Sequence, residues 1–137
     1  MATARASVFF PCPAEQVFSA VTDLSQTGWR SDLAGVEVLD EARFVERTKS
    51  GYATHFVITA CAPPRLWALR MENGNLFGSW CGRFAPERGG TRLDCVERAQ
   101  AKRWWMRPFV LWYLRRQQRR YLEDLRERLS EMQPKPR

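Results

Sequence analysis

Histidine is almost absent from this chain: His55 is the sole imidazole in 137 residues. Lysine is scarce too, with only Lys49, Lys102 and Lys135 among 22 basic residues. The skew to arginine carries no functional weight by itself. The four cysteines, Cys12, Cys61, Cys81 and Cys95, are widely spaced and contain no C-x-x-C pair. With one histidine, a zinc site would need ligands gathered from distant positions. The thiols are therefore expected to be reduced, small apolar side chains, as in a cytoplasmic protein, and no metal or cofactor is expected. Long hydrophobic runs are missing. The longest aromatic-apolar run, residues 109–114, falls far short of the ~20 residues that span a bilayer. Pro11 and Pro13 interrupt the N-terminal MATARASVFFPCP too early for a secretory signal. No G-x-S-x-G, H-E-x-x-H or phosphate-loop pattern occurs, so the common hydrolase, metalloprotease and nucleotide-binding signatures are excluded.

What is present is ordinary for a folded protein: 45% apolar and 27% charged residues. The length suits one domain with its own core, expected over residues 1–132 with 133–137 as a disordered tail. The formal net charge is +7.

Residues 5–10 (RASVFF) read as a strand stopped by Pro11. Pro13 and Glu15 then mark a helix start, Pro at the first helical position and an acid in the first turn. Ala14, Val17, Phe18 and Val21 recur at helical spacing, and the helix should end near Asp23. Residues 24–33 are expected to form a second short helix, interrupted at Gly28. A meander of six strands follows, over 36–40, 43–50, 52–61, 65–72, 76–86 and 91–100. Asn73-Gly74-Asn75 and Glu87-Arg88-Gly89-Gly90 are its clearest turns. Short connections make the sheet mostly antiparallel, because parallel pairing needs long crossovers. From Arg103 to Met132 the period changes. Leu111, Leu114, Gln118, Tyr121, Leu125, Leu129 and Met132 fall three and four apart, which predicts a helix of up to ~45 Å, with Pro108 at its start or kinking its first turn.

The order strand, helix, short helix, six strands, long helix leaves one sheet face to cover, and the C-terminal helix with its apolar stripe is the obvious cover. Here the chain resembles the START-like helix-grip superfamily (SRPBCC), which holds polyketide cyclases, lipid-transfer domains and plant hydrophobic-ligand binders. The resemblance runs from about Ala6 to Leu129. It rests on the opening SVFFPCPAEQVFSAVTD, on Trp29 before the second strand and on the Ala62-Pro63-Pro64-Arg65 hinge. It rests also on the Gly78-Ser79-Trp80 strand, the Pro86 to Leu93 turn and the closing helix Leu111…Arg119…Leu122…Leu125…Leu129. It implies an α+β fold: a curved seven-stranded antiparallel sheet wrapped around a long C-terminal helix, with two short helices after strand 1. These are fold signatures and fix function less well.

The resemblance also implies a cavity between sheet and helix for a hydrophobic small molecule: a lipid, a polyketide-like or a quinone-like compound. Bulky candidates for its wall are Trp29, Phe56, Ile58, Trp67, Leu69, Met71, Trp80, Phe84, Leu93, Phe109 and Tyr113. The alternative is that these side chains fill the space. Which strand face points inward is open, since a one-residue shift exchanges the faces. His55, Arg83 and Glu97 are the polar candidates for orienting a ligand. A cyclase- or dehydratase-like enzyme in the same cavity is a second reading, although no catalytic residue can be carried over from the family.

The most unusual stretch is WWMRPFVLWYLRRQQRRYL, residues 104–122. From Lys102 to Arg128 nine basic residues face three acidic ones, which is six of the seven net charges. Arg115, Arg116, Arg119 and Arg120 share one broad helix face. That face could meet an anionic membrane surface, the phosphates of RNA or DNA, or a protein partner, and the aromatic cluster could be a dimer contact. It could also be a solvated face held by Arg120–Asp124 and Asp124–Arg128 pairs.

Overall fold

The computed structural model describes residues 1–132; the expected tail at 133–137 lies outside the described residues. Strand β1 (Ala2–Phe10) leads through Pro11–Pro13 into helix α1 (Ala14–Thr22). Pro13 caps α1, one position earlier than expected, and its carbonyl accepts from the amides of Gln16 and Val17. The apolar stripe of α1 buries Val17, Phe18, Ala20 and Val21. Residues 24–32 are a chain of turns, so the second short helix does not form. The local reason is side-chain competition: Asp23 accepts from both the amide and the hydroxyl of Ser25, which offers the backbone a turn in place of a helix.

Six further strands follow: β2 (Leu33–Val38), β3 (Arg43–Thr48), β4 (Ala53–Ala62), β5 (Leu66–Glu72), β6 (Leu76–Glu87) and β7 (Gly90–Ala101). They form one antiparallel sheet in the order β1-β7-β6-β5-β4-β3-β2. The meander thus runs back across the sheet until β7 closes against β1. The β5–β6 turn is held by Asn73, whose side-chain oxygen accepts from the amides of Asn75 and Leu76. Gly89, at φ +81, supplies the left-handed residue that the β6–β7 turn requires.

The chain then makes a 3₁₀ helix, Trp104–Phe109, and enters α2 (Val110–Met132). Pro108 lies inside the 3₁₀ helix, so it marks the approach to α2 and does not kink it. Helix α2 buries Val110, Leu114, Gln118, Leu122, Leu125 and Leu129 against β1, β7 and α1. Gln118 is accommodated by donating from Nε2 to the Ala4 carbonyl at 3.3 Å. Two clusters form the core. The smaller joins Ala4, Ala99 and Ala101 to Val110 and Leu114; short side chains there let the helix sit close to the sheet. The larger holds the aromatics of β3 to β6 together with α1 and the C-terminal half of α2. The helix therefore lies over the β1/β7 edge, and bulky rings line the concave face beside it.

Candidate functional site

Alternation along each strand sets the concave wall. Phe56 and Ile58 of β4, Trp67, Leu69 and Met71 of β5, Trp80 and Phe84 of β6, and Leu93 of β7 are all buried in the larger core cluster or packed against it. Trp29 joins them from the turns after α1. The rings touch in series. Phe44 stacks on Phe56 at 4.9 Å and on Trp67 at 6.1 Å between centroids. Trp67 meets Trp80 edge-on, Trp80 meets Tyr121 of α2, and Tyr121 meets Trp29 at 5.6 Å. A line of aromatics thus crosses from β3 to the helix.

Two expected wall residues stand apart. Phe109 closes the 3₁₀ helix and is 64% exposed. Tyr113 is 42% exposed; burial of part of its ring first, then the charge of Glu97, raises its pKa. His55 and Arg83 lie off the concave wall. Each is exposed and neighbours an inward residue, Phe56 and Phe84 respectively, so the two-residue strand period turns both onto the convex face. Glu97 points inward, on the same face of β7 as Leu93 and Cys95.

Around Glu97 lies a charged cluster that sequence reasoning missed. Arg30, from the turns after α1, donates to Asp32 (Nε to Oδ1 3.3 Å, Nη2 to Oδ2 3.2 Å) and to Glu46 of β3 (Nη1 to Oε2 3.1 Å). Its guanidinium also lies 5.0 Å from the centre of the Tyr121 ring. Burial works against the Arg30 charge, but Glu46 and Asp32 more than compensate and hold its pKa above the ordinary value. One arginine between two carboxylates leaves a net negative charge, and Glu97 adds a third carboxyl to it. Burial chiefly, then the nearby Glu46, pushes Glu97 up to about 7, with Arg30 opposing. Among the described residues Glu97 accepts no hydrogen bond and forms no ion pair. Near neutral pH it can donate a proton to a carbonyl, accept one from a hydroxyl, or exchange one with a bound molecule. Burial also raises Tyr121 and pushes the neighbouring Cys95 thiol up to about 12, so neither ionises at physiological pH. Glu46 could have been found from the sequence: Phe44 and Glu46 share a face of β3, which puts a carboxylate beside a core ring.

Two open clefts flank α2. One, of about 610 Å³, lies between the turns at 24–32 and the C-terminal half of the helix; Trp29 is its only large apolar residue, and Asp124, Glu127, Arg128 and Glu131 line its helix side. The other, of about 400 Å³, lies between β1 and α2 and is lined by Arg5, Arg115, Arg119 and Arg126 with Glu123. Arg115, Arg116, Arg119 and Arg120 are all exposed. The expected Arg120–Asp124 and Asp124–Arg128 pairs do not form. Asp124 instead accepts from the amide and hydroxyl of Ser31, at 2.9 and 2.8 Å, which ties the turns to α2. Among the described residues no group of His, Cys, Asp and Glu is placed to hold a metal, and no helix is long and apolar enough to cross a membrane.

The family described as "Polyketide cyclase / dehydrase and lipid transport" matches residues 1–130. No curated protein matches the chain. Among solved structures, the chain is similar to a START superfamily protein from Mycobacterium smegmatis, with TM-score 0.87 and 12% identity over 96% of this chain and 99% of that one. A conserved protein from Geobacillus kaustophilus gives TM-score 0.82 and 14% identity over 94% and 95%. DynU16, of the dynemicin biosynthetic locus, gives TM-score 0.77 and 14% identity over 98% of this chain and 49% of that one. At these identities the likeness is one of fold.

Proposed function

Because this chain belongs to the polyketide cyclase/dehydrase and lipid transport family, we propose that it binds a hydrophobic small molecule, lipid, polyketide-like or quinone-like, between the concave sheet face and α2. The observation that carries this reading is Glu97: one carboxyl without a protein partner, on a wall otherwise built of Trp80, Met71, Trp67 and Leu69. An apolar body would gain roughly 25 cal/mol per Å² buried against those side chains. A single oxygen on the ligand would meet Glu97, whose neutral form can donate to it. The Arg30–Glu46–Asp32 cluster would form the polar end of that space and set which end of the ligand enters first.

A second reading rests on the same group. A carboxyl with pKa near neutrality is suited to general acid–base work, as a cyclisation or dehydration requires. Both readings are tested by native mass spectrometry of the freshly purified protein, with organic extraction of whatever it carries. The expected result is a stoichiometric apolar passenger that Glu97→Gln retains less well. A passenger returned chemically changed by the native protein and unchanged by Glu97→Gln favours the enzyme. An apo mass for the native protein, with no uptake from lipid or quinone mixtures, removes both.

A further inference from the structure

Between Glu97 and Glu123 the chain has no acidic residue, while eight basic ones occur over residues 98–122. Only Lys102 among these eight is ion-paired within the described residues, to Glu72. The same stretch carries exposed rings: Trp104 at 77%, Trp105 at 54%, Phe109 at 64% and Trp112 at 62%. None of these rings belongs to either core cluster. The 3₁₀ helix has no buried residue at all; Met106 alone leans on the smaller cluster. On α2 the helical period puts Trp112, Arg116, Arg119 and Arg120 on the side away from Leu114 and Leu125. The Arg116 guanidinium lies 5.4 Å from the centre of the Trp112 ring. A monomer rarely leaves so many large rings together in water unless something covers them.

We propose that the 3₁₀ helix and the first turns of α2 are a docking surface for an anionic lipid bilayer. The rings would enter the boundary between headgroups and acyl chains, the depth that tryptophan prefers, and the arginines would meet lipid phosphates. Charge chooses among occupants. A second copy would bring the same unpaired arginines against themselves. A single-stranded nucleic acid supplies negative charge, but it is held in grooves that track its backbone, and these rings project from the outside of two helices. A bilayer offers both the anionic charge and an apolar layer beneath it. Arg115 and Arg119 also line the cleft beside β1 with Arg5 and Arg126, so the positive surface continues along the helix, interrupted there by Glu123.

This inference needs no ligand in the cavity and is tested without one. The full chain is sedimented with vesicles of phosphatidylcholine alone and of phosphatidylcholine mixed with phosphatidylglycerol, and tryptophan emission is recorded. Binding is expected on the mixed vesicles only, with a blue shift and with quenching by brominated acyl chains. Each arginine near an anionic surface contributes roughly fivefold in affinity, so R115Q/R116Q/R119Q/R120Q should lose at least tenfold. Trp104→Ala/Trp105→Ala/Trp112→Ala should lose both the binding and the blue shift; all seven side chains are exposed, and circular dichroism checks the fold. Glu97→Gln should bind vesicles as the native protein does. Absence of binding to mixed vesicles overturns the proposal. So does vesicle binding that survives the tryptophan replacements, or tighter binding to a single-stranded RNA oligonucleotide than to the vesicles.

Discussion

At the scale of single residues, the decisive one is Glu97, and its chemistry predicts a pH dependence of stability. Its folded pKa, about 7, lies above the ordinary glutamate value of 4.5. Between those values the folded state holds a proton that the unfolded state has released. Stability therefore falls as pH rises through that window, on the order of 2 kcal/mol. Asp23, Asp40, Glu72 and Asp94 are held low instead, chiefly by side-chain hydrogen bonds from Ser25, Arg43, Lys102 and Ser7. Their contribution is present above the unfolded carboxylate pKa and is lost only as pH falls below it, so it does not mask the Glu97 window. Urea unfolding at pH 5.5 and at pH 8 should show the native protein less stable at the higher pH and Glu97→Gln nearly level. Equal slopes for the two proteins would remove the argument that burial makes this carboxyl hard to ionise. Glu97 was one of three polar candidates in the sequence, and the sheet decides that it shares the inward face of β7 with Leu93 and Cys95. Its environment was not, because Arg30, Asp32 and Glu46 come from two separate segments that only the tertiary fold brings together.

At the scale of elements, β3 to β7 were legible to within two residues of their ends, while β1 and β2 begin three residues earlier than expected. Their alternation is regular, and Gly51, Pro63-Pro64, Asn73-Gly74 and Gly89-Gly90 punctuate them. The failures have physical causes. Residues 24–33 offer only Trp29 and Leu33 at helical spacing, while Asp23 and Ser25 bond locally and Ser31 is drawn to Asp124 on α2. His55 and Arg83 fell on the wrong face because burial of the opposite strand face is decided by the whole sheet. Helix α2 supplies the test of which of its side chains hold the fold. Leu125 is fully buried, so Leu125→Ala should cost about 2–5 kcal/mol. Trp112 is larger yet mostly in water, so Trp112→Ala should cost under about 1 kcal/mol, little more than its contact with Arg116. Denaturant titrations of the two variants measure the contrast. A large loss for Trp112→Ala would mean that this ring supports the fold and is not free to meet a surface.

At the scale of the whole molecule, α2 joins two surfaces that differ in kind. Its buried line closes the core over β1 and β7. Trp112 in its first turn, like Phe109 just before it, is exposed. Six tryptophans are thereby divided: Trp29, Trp67 and Trp80 with the core, and Trp104, Trp105 and Trp112 outside it. Composition alone could not separate these groups, since both read as aromatic segments. The division predicts separable defects in transfer of a fluorescent lipid or quinone analogue from donor to acceptor vesicles. Glu97→Gln should lower the amount of analogue the protein carries in solution and leave its vesicle affinity unchanged. Trp104→Ala/Trp105→Ala/Trp112→Ala should leave the carried amount unchanged and slow transfer by about tenfold or more, because each interfacial ring lost weakens the encounter with the bilayer. Added salt should slow transfer further in the native protein, by screening the arginines, and should have little effect on analogue already bound in an apolar space. If both variants lose capacity and rate together, the two surfaces are one site, and the assignment of the outer tryptophans to the bilayer fails with the separation.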